Sequence, residues 1–187
     1  IYLSQIKLNP SAEEKIMEII DAHAHIYPEK IAAKATDTIG IFYDIKMEMP
    51  AGTADRLIDD GSKIGVTKYV VHSCATKAHQ VRAINEFIKE EIDTHQEFIG
   101  FMTLHQDLSQ EQMNEEVDWC LKNGFKGIKL HPDFQKFYID GEDAQKFIDT
   151  FIAPTKEKGL KKVRYINEIK QRILDLNLTE EEFEIAQ

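Results

Sequence analysis

The sequence predicts an α/β chain of the (β/α)8 barrel type. Two observations predict it. Four short apolar runs alternate with stretches of helical period, in units of about 30 residues, which implies parallel strands joined by crossovers. Histidines gather where those runs end, at His23 and His25, His72, His105 and His131, and barrel enzymes keep their chemistry at the C-terminal ends of their strands. The competing open sheet would carry a glycine-rich phosphate loop, and no G-x-G-x-x-G or P-loop pattern follows any of the runs.

The elements follow in order. Ser11, with Glu14 three residues on, fits a capping box opening a short helix over about 12–18. The run "IIDAHAHI" within Met17–Ile26 is the first strand. Tyr27 to Gly52 reads as a loop rich in turn formers, either a lid over the barrel mouth or an ordinary packed insertion. "TADRLIDDGSKIG" has helical spacing through Leu57, Ile58 and Ile64 and a stop at Gly65. Val66 to Ser73 is a buried strand. "AHQVRAINEFIKEEIDTH" carries Val81, Ile84, Phe87, Ile88 and Ile92 at the period of an amphipathic helix. Phe98 to His105 is the third strand. A helix over 109–124 starts at a Ser109 cap and stops at Gly124. Phe125 to Pro132 is the fourth strand, and a helix over about 140–159 breaks at Pro154.

Composition bounds the function. With 187 residues, 42% hydrophobic and 30% charged, the chain is an ordinary globular domain. The expectation is one barrel domain over 1–187. A net charge of −10 argues against nucleic acid and anionic membranes, since both need clustered Lys and Arg. No apolar stretch approaches the ~20 residues of a membrane helix. The N-terminus lacks a signal-peptide pattern, and Cys74 and Cys120 lack metal-like spacing, so they read as free thiols in a cytoplasmic setting.

The chemistry-bearing residues follow from strand periodicity. Asp21, His23 and His25 share one face, while Ala22 and Ala24 face the other way and admit closely packed helices. Two neutral imidazoles converging near a barrel axis suit zinc and similar ions. A hydrogen-bonded histidine pair gives the same pattern. In "GIKLHP", Lys129 and His131 share a face opposite Ile128 and Leu130. An inward lysine must be paired or chemically used, for example on a substrate carboxylate, unless it leans out to solvent at the mouth. His72 and His105 read as mouth-lining or satisfied histidines, and His79 and His95 as solvated ones.

"IIDAHAHIYP", a strand ending "VVHS", and "GFKGIKLHP" about 100 residues later resemble the amidohydrolase superfamily, in its amidohydrolase-2 branch of metal-dependent hydrolases and decarboxylases. The resemblance implies a distorted (β/α)8 barrel, a divalent metal, zinc for preference, held by His23 and His25, and a site that includes Lys129 and His131. It implies a small-molecule substrate: an amide or ester whose carbonyl is attacked by metal-activated water, or a carboxylate that loses CO2. The family takes further histidines from strands five and six and an aspartate from strand eight. This sequence has no histidine after His131, and Asp175 lies in a helical pattern. Residues 17–160 resemble the family's first half and 163–187 its closing helices, with Thr179 and Glu182 as a capping box and a join near 160. An incomplete barrel leaves open sheet edges, which predicts a homo-oligomer or a non-catalytic fragment acting through self-association. A nuclease of similar pattern is disfavoured by the charge.

Overall fold

The structure, a computed structural model, describes residues 19–157, with side chains through Thr150. The expected first helix, the join near 160, Asp175 and the closing helices lie outside the described residues.

The order of elements is β1 (Ile19–His25), α1 (Glu29–Tyr43), α2 (Ala54–Ser62), β2 (Val66–His72), α3 (Val81–Thr94), β3 (Phe98–Thr103), α4 (Gln110–Lys122), β4 (Gly127–Lys129), α5 (Pro132–Gln135) and α6 (Glu142–Glu157). The strands form one sheet in the order β1-β2-β3-β4. β3 and β4 pair in parallel, with Phe101 opposite Gly127 and Thr103 opposite Lys129. This is the expected α/β class, with the strands of an incomplete barrel.

The described residues fall into two compact units. Of these, 19–71 and Glu91–Ile99 make up one, and His72–Glu90 and 100–157 the other. In the first unit, Ile26, Ala32, Tyr69, Val71 and Phe98 are buried. The ring of Tyr69 meets that of Phe98 edge-on at 5.9 Å. The backbone N–H of Tyr27 donates to Gly52 O at 2.7 Å, closing the segment that contains α1 into a loop with adjoining ends.

That segment corrects the expected loop. Residues 29–43 are helical, and the buried residues Ala32, Thr36 and Gly40 recur every fourth position. The buried stripe is made of small residues, so the apolar moment that marks a helix in sequence is weak. Ile41, Phe42, Tyr43 and Ile45 remain exposed at its C-terminal end. Ile64, expected on the apolar face of α2, lies past its end and is 74% exposed.

In the second unit, Val81, Ile88, Met102, Leu104, Met113, Val117, Cys120, Phe125 and Phe147 form the core. Asn85 of α3 grips the end of β3. Its Oδ1 accepts from Thr103 N at 2.8 Å, and its Nδ2 donates to Thr103 O at 3.0 Å and to buried Glu116 at 2.8 Å. Glu116 in turn meets Arg82 at 2.9 Å, and the Arg82 guanidinium lies 4.4 Å above the Trp119 ring. The expected start of α4 holds, while α2 ends at Ser62, three residues before Gly65. Ser109 and Gln112 form a reciprocal capping box at α4. Gly65 and Gly124 have φ of 85° and 90°, a region other residues avoid.

Two further expectations fail. The fourth strand ends at Lys129, and α5 begins at Pro132. Proline supplies the fixed φ of a first helical residue and has no N–H to leave unpaired. The last helix runs through Pro154 to Glu157, because one lost backbone bond near a helix end does not outweigh the packing of α6 on α4.

Candidate metal centre

The end of β1 sets the geometry of the first unit's site. Strand pleating puts alternate side chains on one face, and the structure brings two of them together. His23 Nε2 and His25 Nε2 lie 3.2 Å apart, with ring centroids 5.2 Å apart. Ala24, between them, is buried on the other side as expected, whereas Ala22 is exposed. Asp21 spends one carboxylate oxygen on the backbone N–H of His23, at 2.9 Å. It fixes the strand under the imidazole.

The separation of the two nitrogens fits a common ion. Two imidazole nitrogens bound at about 2.0–2.1 Å with tetrahedral angles lie about 3.3–3.4 Å apart. An octahedral right angle with slightly longer bonds gives about 3 Å, so the pair suits either geometry. His72, the last residue of β2, is buried at 2% exposure. It is the first residue of the second unit.

Tyr27 is a residue the sequence reading passed over. Its hydroxyl lies 3.3 Å from His25 Nδ1, and the two rings stack at 6.2 Å. It continues the period of two beyond His25, which was visible in "HAHIY". With the hydroxyl accepting the Nδ1 proton, His25 keeps the Nε2 lone pair for an ion; such partners orient ligand imidazoles.

The second unit holds the other expected site residues. Lys129 ends β4 and is half-buried. Burial pushes its ammonium below the usual lysine range, opposed by the nearby Cys74 thiol. His131 is not on the strand. It is the N-cap of α5, and its Nδ1 accepts from Phe134 N at 3.3 Å. Its ring stacks on that of Phe134 at 4.0 Å. Burial, and then the charge of Lys129, hold its pKa below the ordinary histidine value. Cys74 and Cys120 are free thiols; burial pushes Cys74 up to about 11, so it is not a thiolate nucleophile at neutral pH.

The remaining described histidines lie outside these groups. His105 is buried and accepts from Asp107 N at 3.2 Å. His95, expected to be solvated, is half-buried, 3.2 Å from Glu91, with its ring centroid 4.8 Å from that of Phe98. His79 is exposed. Among the described residues, no helix is long and apolar enough to cross a membrane.

No family model and no curated protein matches the chain. Solved structures do. One is 5-carboxyvanillate decarboxylase from Novosphingobium aromaticivorans, with bound manganese and 3-methoxy-4-hydroxy-5-nitrobenzoic acid. It matches at a TM-score of 0.57 and 15% identity, over 78% of this chain and 56% of that one. A 2,6-dihydroxybenzoate decarboxylase from Rhizobium matches at 0.45 and 19%, over 72% and 46%. A probable 2-pyrone-4,6-dicarboxylic acid hydrolase from Acinetobacter baumannii, with citric acid bound, matches at 0.43 and 18%, over 72% and 46%. The chain therefore spans little more than half the length of the first of these proteins. What it shares with that decarboxylase is the fold, an α/β arrangement of strand–helix units from an incomplete (β/α)8 barrel.

Proposed function

We propose that this chain belongs to a metal-dependent enzyme of the amidohydrolase type, acting on the carbonyl of a small amide or ester. The observation that carries the reading is the 3.2 Å approach of His23 Nε2 to His25 Nε2. His23 and His25 are the proposed ligands, and zinc is the proposed ion. When bound, such an ion supplies Lewis-acid activation of water and of the substrate carbonyl.

The chain's own residues divide the remaining work. Asp21 holds the strand backbone at His23. Tyr27, its hydroxyl 3.3 Å from His25 Nδ1, would orient that ring. Lys129, a half-buried cation, would bind an anionic oxygen of the substrate. His131, kept neutral by burial and by Lys129, would donate a hydrogen bond there.

Lys129 also favours a second reading, a decarboxylase, because a half-buried ammonium suits a substrate carboxylate. One experiment tests both. The purified chain is loaded with zinc or manganese, and ester hydrolysis, amide hydrolysis and CO2 release from aromatic carboxylates are followed. Turnover that requires metal and disappears in His23→Ala supports the reading, and the reaction observed selects between its two forms. Metal uptake unchanged in the double variant His23→Ala, His25→Ala would sink it.

A further inference from the structure

Gln135, four residues from His131, is a buried carboxamide at 2% exposure, and nothing in the proposed chemistry uses it. Both ends of its side chain are hydrogen-bonded. Oε1 accepts from His131 N at 2.8 Å, and Nε2 donates to Leu104 O at 2.6 Å. Its backbone N–H donates to His131 O at 2.9 Å, and its backbone O accepts from the Gln106 side chain. One residue thus ties the end of β3 to both backbone groups of His131.

The consequence falls on the imidazole. A backbone fixed at N, through Oε1, and at O, through the helix bond, fixes where the side chain of His131 starts. From there Nδ1 caps α5 by accepting from Phe134 N. A nitrogen that accepts a hydrogen bond carries no proton, so in the neutral ring the proton sits on Nε2.

We propose that Gln135 is a positioning residue that locks His131 in the tautomer protonated at Nε2, so that neutral His131 is a hydrogen-bond donor to a substrate oxygen and not the base of the reaction. The inference rests on His131 belonging to the reactive site described above. It needs neither the metal nor the choice between hydrolysis and decarboxylation.

The test is nitrogen-15 NMR of the His131 ring in the metal-free chain, at a pH where the ring is neutral. The wild type should show an unprotonated Nδ1 and a protonated Nε2. Gln135→Met, of similar volume but without polar groups, should give a mixture of tautomers. Gln135→Glu, which keeps an oxygen to accept from His131 N, should retain the wild-type pattern. A protonated Nδ1 in the wild type overturns the proposal, as does a folded Gln135→Met with an unchanged tautomer. Should Gln135→Met fail to fold, the wild-type tautomer and Gln135→Glu decide. Because the readout involves neither metal nor turnover, it stands apart from the test of the proposed function: absent turnover sinks that reading and leaves the tautomer measurement intact.

Discussion

The Nε2 atoms of His23 and His25 lie 3.2 Å apart on the same face of β1. Water does not hold two neutral acceptors so close. Either a proton or a cation lies between them, and a divalent ion satisfies both lone pairs at once. His23→Ala should therefore lower zinc affinity by at least roughly a hundredfold, or about 2.7 kcal/mol. Calorimetric titration of wild type and variant checks this, and equal affinities would contradict it.

Tyr27→Phe removes only the hydroxyl beside His25 Nδ1. It should leave the fold intact and weaken zinc binding by roughly tenfold, the lower end of the effect of losing a ligand's outer partner. The same titration reads it. An unaltered affinity would show that the hydroxyl does not orient the ring.

The charge of Lys129 should be visible in the titration of His131. Burial and then Lys129 lower the His131 pKa, so Lys129→Met should raise it. The stability consequence has a definite sign. With the folded pKa below the unfolded 6.5, the unfolded chain binds more protons in the window between them. Stability is lost as pH falls through that window, and Lys129→Met should narrow the window. Histidine NMR titration, with urea midpoints at two pH values, measures both. A lower His131 pKa in the variant would refute the electrostatic account.

Asn85→Leu should destabilise the chain by about 3 kcal/mol, because it strands the buried N–H and C=O of Thr103 and one oxygen of Glu116. Urea unfolding gives the number. A loss below about 0.5 kcal/mol, the range of neutral surface changes, would mean that water replaces the amide.

Gly127→Ala tests the β3–β4 register. A Cβ there would sit 2.5 Å from Phe101 Cζ. The ring must shift, at a cost of about 1–3 kcal/mol, and β4 must move with it, carrying Lys129. Thermal unfolding measures the first effect, and the Lys129 side-chain NMR signals report the second.

Much of this was legible in the sequence, for identifiable reasons. The H-x-H face followed from strand period alone, and Gly124 and Ser109 marked helix ends by chemistry that operates within a few residues. What escaped depended on packing or on a local contest. Helix α1 buries only Ala32, Thr36 and Gly40, so its inward face carries no strong apolar signal. His131 fitted a strand by alternation, but Pro132 and Asp133 made a helix start there more favourable. That competition was readable from "HPDFQ". The engagement of Gln135 was not, since a glutamine four residues from a histidine has no pattern that says it is buried.

The bond from Tyr27 N to Gly52 O has a consequence for variation. The two ends of the excursion that holds α1 meet, so its length is not dictated by the distance between β1 and α2. Homologues and engineered versions could exchange that stretch as a cassette, shorter, longer or of different sequence, while β1 keeps its histidines in place. Sequence change should therefore be cheapest in residues 28–51, with the strand that bears His23 and His25 left untouched.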